Sequence, residues 1–363
     1  MAEKRQKVCV LFGGQSSEHE VSRVSAASVI DNLDKEKYKI LTVGITKTGK
    51  WYLYNGKAEQ IKSGAWEKDK KHLRPAVLSP SSADKGLLVK DADGRQRKLH
   101  IDVIFPVLHG MYGEDGTVQG LFELSGIPYV GCGVLASSVG MNKIYMKYVF
   151  EKAGLVQANW LPVYTKDFDK IDSIIEQIER ELGYPCFVKP ANAGSSVGIT
   201  KADDRTQLYA GLQLAAQHDR QIVVEEMVVG REVECSVLGN ANEKDGVKAS
   251  TVGEIVSAAG FYDYEEKYKT DTADLIVPAQ LNADVMKKIQ DSAVIGFCAI
   301  DGAGLSRVDF FVRACDGAVV INEINTLPGF TSISMYATLW GASGLGYSAL
   351  LDELIRLAYV RQK

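Results

Sequence analysis

The 363-residue sequence has no C-x-x-C pair, no histidine at zinc-ligand spacing, and no apolar run approaching a membrane span. Its six cysteines (Cys9, Cys132, Cys186, Cys235, Cys298, Cys315) lie scattered in mostly apolar surroundings, which predicts reduced core thiols rather than a disulfide framework. The basic start MAEKRQK precedes an apolar run, 8–12, far too short for a signal peptide, so a soluble cytoplasmic protein is expected. Excess positive charge is missing too. Lys and Arg number 42 against 46 Asp and Glu, a net charge of -4, which gives no electrostatic reason to expect nucleic acid or an anionic membrane as partner. Any anionic ligand must be met by local positive charge. Nor is any segment polar or repetitive enough to read as disordered, and no internal repeat is visible.

A chain of this length exceeds what one hydrophobic core usually serves, so two or three domains are expected. The opening reads as a strand over 7–12, a Gly13-Gly14 turn and a helix from about 16 to 33, the first βα unit of a parallel sheet. Residues 38–45 and 101–108 look like further strands, while 55–96, rich in Lys, Asp, Gly and Ser, reads as a surface excursion. A second unit starts with a helix near Met141 and continues with a helix over 169–182, a strand over 185–190, a Gly/Ser loop over 191–198, a helix near 206–217, and strands at 221–227 and 232–239. A third carries a strand near 248–256, an aromatic and charged loop over 260–274, a helix near 283–298, strands at 305–313 and 318–325, and a last helix near 348–360.

The most informative chemistry sits in the last two of those strands. Alternation puts Arg307, Asp309 and Phe311 on one face of LSRVDFF, and Val319, Ile321, Glu323 and Asn325 on one face of VVINEIN, with Asp316-Gly317 as the hairpin turn. If the polar faces coincide, Asp309, Glu323 and Asn325 make an oxygen-only set suited to magnesium; the alternative is a solvated polar face. Backbone amides of the Gly/Ser loop, from Gly194 to Val197, can close over phosphate, or the loop is a plain surface hairpin, since no G-x-x-x-x-G-K-[ST] string is present. Lys143 and Lys189 are candidate phosphate ligands, against the solvated role of most lysines. GGQSSEHE lacks the G-x-G-x-x-G spacing, which argues against dinucleotide binding and a nicotinamide oxidoreductase. Glu18 within it either complements a helix dipole or binds a cation. The loop 260–274 suits a lid over reactive chemistry, or is an ordinary surface loop.

Taken in order, GGQSSEHEVS (13–22), HGMYGEDGTVQG (109–120), MNK (141–143), FVKPANAGSSVG (187–198), VEEMVVGREVECSVLG (224–239), FYDYEEKY (261–268), RVDFF (307–311) and NEINTLPGFTSISMY (322–336) resemble the D-alanine:D-alanine ligases of the ATP-grasp superfamily, and the likeness spans nearly the whole chain. The resemblance implies a multidomain α/β and α+β chain. An N-terminal Rossmann-like parallel α/β domain (1–140) would hold the first D-alanine, followed by an ATP-grasp fold with a central subdomain (141–239) and a C-terminal subdomain (240–363) carrying the lid. It implies ATP-dependent ligation of two D-alanines through a D-alanyl phosphate, for peptidoglycan precursor synthesis. ATP would meet Lys143 and Lys189 at its phosphates, Glu225 at the adenine and Glu232 at the ribose, with Ser196, Glu226, Met227, Val228, Phe311, Asn322 and Glu323 completing its site. Asp309, Glu323 and Asn325 would hold two Mg2+ ions, with Mn2+ as a substitute; a monovalent cation and a homodimer also fall within the family's habits.

By the same resemblance Glu18 would anchor the first D-alanine's ammonium, with Ser195 and Tyr268 completing a hydrogen-bonded set. Lys267 would reach the γ-phosphate, Arg307 and the Gly329 amide would meet the tetrahedral oxyanion, and Ser334 would receive the second carboxylate. Ala337 departs from the family's usual proline after SMY, a change that bears on loop rigidity. Tyr268 points to a D-alanine acceptor, because relatives that make D-alanyl-D-lactate typically carry histidine there; D-lactate and D-serine remain the rival acceptors.

Overall fold

A computed structural model describes residues 5–194, 197–243, 246–256 and 274–361. The first sheet uses β1 (Gln6–Gly13), β2 (Tyr38–Ile45), β3 (Trp51–Tyr54), β4 (Leu73–Leu78), β5 (Gly86–Lys90), β6 (Gln96–His100) and β7 (Val103–Val107). Its strand order is β6-β5-β4-β3-β2-β1-β7. β1 runs parallel to both β2 and β7. As in other crossover-built sheets, these central strands are apolar on both faces, and every residue of β1 from Val8 to Phe12 is buried. The helix His19–Asn32 makes the crossover from β1 to β2.

The stretch 55–96 is not a surface excursion. It supplies β4 and β5, which extend the sheet by antiparallel pairing, and leads into β6. It also sends Ile61, Trp66, Ala76, Leu78, Leu87 and Val89 into the core. Its polar composition belongs to the outward positions of short antiparallel strands, which alternate with the buried ones. Trp66 is fully buried, edge-on to Phe12 at 4.9 Å between ring centroids. A Cβ added at Gly44 would lie 2.4 Å from its ring, so β2 passes Trp66 as closely as a glycine allows.

The second sheet, ordered β10-β9-β11-β8, is formed by β8 (Trp160–Tyr164), β9 (Cys186–Pro190), β10 (Thr200–Ala202) and β11 (Gln221–Glu226). The helices Ile171–Glu181 and Arg205–Ala215 cover one side and close a separate core around Ile175, Ile178, Leu208 and Leu212. The third sheet runs β14-β13-β12-β15-β16, from β12 (Gly230–Asn240), β13 (Lys248–Val256), β14 (Asp274–Ile276), β15 (Ala303–Arg313) and β16 (Val319–Asn325). Its core packs against the helix Ala283–Ala299 through Ile289, Ala293 and Phe297.

Two expectations about organisation change here. The strand assigned to the central unit at 232–239 is β12, which pairs with β13 and β15 along its length, so the boundary expected after 239 falls between β11 and β12 instead. The last helix, Tyr347–Arg361, does not stay with the C-terminal unit alone: Leu350, Leu351, Leu354, Ile355, Leu357 and Ala358 join the core of the first sheet. Of the six cysteines, all unpaired, four are buried as expected, whereas Cys298 and Cys315 are exposed. Among the described residues no helix is long and apolar enough to cross a membrane.

Because Trp66 sits in the main core, Trp66→Ala is expected to cost about 3–5 kcal/mol in a denaturant titration. A loss below about 1 kcal/mol, the range of exposed positions, would return 55–96 to the surface.

Candidate functional site

The three sheets meet around one cavity of about 490 Å3, and each lends it side chains of a different chemistry. Its floor is the β15–β16 ladder. Arg307 faces Asn325 and Asp309 faces Glu323 across the two strands, so the polar faces do coincide. The alternation expected along β16 is interrupted, because the register shifts between Asp309 and Phe310, which pairs with Ile321. Val319 and Ile321 therefore pack with the core while Glu323 and Asn325 look into the cavity, and Val320, not Ile321, lies opposite Phe311. Bulges of this kind re-aim side chains beside active sites.

Asp309 is buried and takes a bidentate pair of hydrogen bonds from Arg307, Nε and Nη2 each at 2.7 Å. It also accepts one from Asn325 Nδ2 at 3.1 Å. Arg307 Nε lies 3.0 Å from Glu234 on β12 as well. Burial works against the Arg307 charge, but Asp309, Glu234 and Glu323 together raise its pKa well above the usual guanidinium value. Among the described residues no group of three or more His, Cys, Asp or Glu stands ready for a metal. What β15 and β16 offer is two facing carboxylates and an amide, hard oxygen donors that fit magnesium completed by water and phosphate oxygens.

The positive wall comes from the central unit. Asn142 caps the helix Lys143–Lys152, its side chain accepting from the amides of Ile144 and Tyr145, while its own amide is tied to Asn192 and Gln221. This cap fixes Lys143 and Lys147, one turn apart and on one face, toward the cavity. Lysines at a helix N-terminus oppose the dipole, so an anion beside them is favoured. Lys143 Nζ donates to the Ala193 carbonyl at 3.0 Å and sits 3.8 Å from Glu323. Lys189, on β9, donates to Glu225 at 2.8 Å, and Lys147, buried at 1% exposure, lies 3.3 Å from the other Glu225 oxygen. Burial alone would raise the Glu225 pKa, yet Lys147 and Lys189 bring it down from 4.5 to about 2. For Lys147, burial dominates and lowers the pKa despite Glu225.

From the first sheet comes an acidic and polar corner. Glu18 occupies the N-cap of His19–Asn32, its amide N–H donating to Ser16 Oγ at 2.9 Å, so the dipole and cation-binding readings of this carboxylate are compatible. Its Oε2 would lie 2.7 Å from a Cβ at Gly110 (φ +73°) and 3.3 Å from one at Gly194, which shows how tightly the HGMYGEDG segment and the Gly/Ser loop close on it. Glu114 accepts the Gly110 amide at 2.7 Å; burial first, then Glu18, push its pKa well up. His109 donates through Nδ1 to the Leu327 carbonyl at 3.0 Å and lies 3.2 Å from Ser25 Oγ through Nε2, and burial lowers its pKa.

Met227, Val228, Glu232, Phe311, Asn322 and Gly329 all line the cavity. Glu226 reaches it too, but its carboxylate is spent on Asn159, accepting from the backbone at 2.9 Å and the side chain at 2.8 Å, so only its main chain remains for a ligand. Ser334 is the N-cap of Met335–Ala342, where its side chain makes no cap bond; its Oγ accepts the Thr331 amide at 3.0 Å. Ser195, Ser196, Lys267, Tyr268 and nearly all of the loop 260–274 fall outside the described residues. Sequence reasoning missed Lys147, Glu114, His109 and Glu234. Lys147 had a signal, its i+4 spacing from Lys143.

Residues 7–132 match the family model for the D-ala D-ala ligase N-terminus and 149–356 that for the D-ala D-ala ligase C-terminus. A D-alanine--D-alanine ligase from Ruminiclostridium cellulolyticum is 54% identical over 98% of this chain and 96% of its own. Two solved structures are similar: the VanG D-Ala:D-Ser ligase from Enterococcus faecalis (TM-score 0.88, 41% identity, covering 98% of this chain and 100% of that one) and the D-alanine-D-alanine ligase from Coxiella burnetii (TM-score 0.85, 35% identity, 99% and 95%).

Replacing Glu225 by Gln leaves two ammonium groups without their shared counter-charge and is expected to cost about 3–5 kcal/mol at neutral pH. A buried lysine with a lowered folded-state pKa sheds its proton first in the folded state, so the deficit should shrink as pH rises toward the lysine range. In the parent chain, the stability Glu225 contributes is present above 4.5 and is lost as pH falls toward about 2. Denaturant titrations at a series of pH values check both signs; a deficit that grows with alkalinity would contradict the shared-charge account.

Proposed function

The chain belongs to the D-alanine--D-alanine ligase family, and from that premise we propose that it joins two D-alanines to D-alanyl-D-alanine, converting ATP to ADP and phosphate, as a step toward peptidoglycan precursors. The observation that carries this reading is the single cavity that faces Glu18, the lysines Lys143 and Lys189, and the Arg307–Asp309–Glu323 floor toward one another. An amino acid's ammonium, a triphosphate and a reacting carbonyl each find their complement there.

The reaction begins with a poor electrophile, a carboxylate. The first D-alanine, its ammonium on Glu18, attacks the γ-phosphorus with a carboxylate oxygen; ADP leaves and an acyl phosphate forms. Lys143 and Lys189 neutralise the phosphate charge, and Lys267 is assigned the γ-phosphate. Asp309, Glu323 and Asn325 would hold two magnesium ions, with Mn2+ as a substitute, whose charge stabilises the transferring phosphoryl group. The second D-alanine, its carboxylate at Ser334 and the first amides of Met335–Ala342, then attacks the acyl carbon with its free amine. Arg307 and the Gly329 amide meet the oxyanion of that tetrahedral state, a contact of about 3 kcal/mol where it has been removed elsewhere. Phosphate departs, and the peptide bond remains. Water would hydrolyse the acyl phosphate, which is why a lid at 260–274 belongs to the reading, with Tyr268 joining Ser195 and Glu18. Glu225 is assigned to the adenine and Glu232 to the ribose, with Ser196, Met227, Val228, Phe311, Asn322 and the Glu226 main chain around them. The reading includes a cytoplasmic homodimer.

D-Serine as second substrate is favoured by one observation, the likeness to a D-Ala:D-Ser ligase at 41% identity. The higher identity to a D-alanine--D-alanine ligase, 54%, supports D-alanine.

Incubation with ATP, Mg2+ and an equimolar mixture of D-alanine, D-serine and D-lactate, followed by mass spectrometry, is expected to return D-alanyl-D-alanine as the main product near neutral pH. A majority of D-alanyl-D-serine or depsipeptide would replace the acceptor assignment. Glu18→Ala is expected to raise the KM for D-alanine by about tenfold or more, the scale of one lost charged hydrogen bond, with the KM for ATP little changed. Equal rises in both constants would remove Glu18 from the amino-acid site.

A further inference from the structure

Glu234 has no part in the reaction as described, yet it is among the most enclosed charges in the chain. Only 3% of it is exposed. Burying a carboxylate is costly unless a partner compensates it, and Arg307 is a cationic partner, its Nε 3.0 Å away as an ion pair while the Nε hydrogen goes to Asp309. Glu234 faces Asp309 across β12 and β15, and Asp309 faces Glu323 across β15 and β16, so three carboxylates form a row over three adjacent strands. Arg307, two residues before Asp309, shares that face and lies against the first two.

One guanidinium held by two carboxylates is more than charge balance requires. The surplus has a use once the two anchors are distinguished. In the proposed reading Asp309 would be one of the residues holding magnesium, and its charge would then be shared with a divalent cation. Were Asp309 its only anchor, Arg307 would be attracted least at the stage when it is needed most. Glu234 lies outside that set, on β12, and its hold on the guanidinium does not depend on the metal.

We propose that Glu234 is the positioning residue for Arg307, keeping its guanidinium aimed into the cavity during peptide-bond formation when Asp309 is engaged elsewhere. The proposal rests on the reading in which Arg307 meets the tetrahedral oxyanion. Phosphoryl transfer does not use that contact, so loss of Glu234 separates the two half-reactions: acyl phosphate still forms, its coupling to the second amine slows, and the excess is hydrolysed to D-alanine and phosphate.

The test measures ADP and dipeptide release separately for Glu234→Gln, Glu234→Asp and Arg307→Gln. In the parent enzyme the two products appear in equal amounts. Glu234→Gln is expected to lower the dipeptide kcat by about 10- to 100-fold, the usual effect of removing a supporting partner. The KM for ATP should move by no more than about twofold, and ADP should exceed dipeptide. Glu234→Asp, which keeps the charge, should recover part of the loss and bring the ratio back toward equality. Unchanged kcat in Glu234→Gln, or a fall in both products together with their ratio intact, overturns the proposal. If the Gln variant does not fold, Glu234→Met, which removes the charge without leaving a buried polar group, decides in its place, an excess of ADP supporting the role and a ratio of one refuting it. Arg307→Gln separates the two levels of argument. An uncoupled Arg307→Gln beside a fully coupled Glu234→Gln sinks this inference only, whereas a fully active Arg307→Gln sinks the oxyanion reading beneath it.

Discussion

The register shift between Asp309 and Phe310 sets which side chains can act together. Upstream of it, Arg307 and Asp309 stand across from Asn325 and Glu323; beyond it, Phe310 and Ile321 close the core while Phe311 and Val320 turn to the cavity. Had β16 kept strict alternation, Ile321 would share a face with Glu323, and one of them would be misplaced. Either an apolar side chain would leave the core or a carboxylate would enter it, and the second is the costlier error. A bulge resolves the conflict with one extra residue, giving an apolar half-strand beside a polar half-strand.

Around that floor, the charges are arranged so that few are spent before a ligand arrives. Lys147 and Lys189 share a single carboxylate, Glu225, which leaves the pair with a net positive charge facing the cavity. Lys143 leans on a carbonyl and stands 3.8 Å from Glu323, too far for a committed bond. Opposite them, Glu18 and Glu114 crowd a corner where burial and mutual repulsion raise the Glu114 pKa, and a bound ammonium would relieve both. The cavity is thus positive on the side of Lys143, Lys147 and Lys189 and negative in the corner of Glu18 and Glu114. A net charge of -4 for the chain said nothing of this, because the field is set by a few side chains held in low dielectric.

How much of this was legible in the sequence follows from the range of each interaction. The hairpin of Asp309 and Glu323 is readable because alternation and a Gly317 turn act over a short stretch of chain, and β1 with its crossover is readable for the same reason. The 55–96 stretch was misread because its short strands bury alternate residues only, so its composition looks like a loop until β4 is paired with β3 and β5. The strand over 232–239 reads as part of the central unit because strand partners are chosen over long separations; Glu234 and Asp309 are neighbours in space and far apart in sequence. Glu234 was silent for the same cause. Nothing near it in the chain shows that an arginine will lie alongside. Lys147 was the exception, a residue whose helical spacing from Lys143 carried the information.

The distribution of cores bears on how such a cavity admits and encloses its substrates. The last helix and the segment Leu327–Phe330 pack into the core of the first sheet, and His109 bonds the Leu327 carbonyl, so the units bearing Glu18 and Arg307 are fastened by shared apolar surface as well as hydrogen bonds. The four-stranded unit is different. Its core of Val163, Ile175, Ile178, Leu208 and Leu212 is its own, and it meets the rest chiefly through the helix Lys143–Lys152, whose Met146 and Phe150 join the third sheet while Ile144 packs with Ala191 and Val223. Opening a junction costs in proportion to the apolar area it exposes, so the movement of least cost is the central sheet turning about that helix. Such a turn would carry Lys189 and the Gly/Ser loop toward or away from Arg307, Asp309 and Glu323. It would leave the Glu18–Gly110 corner and the Arg307 floor fixed to each other, preserving the alignment of amino acid and carbonyl while phosphate groups enter and leave.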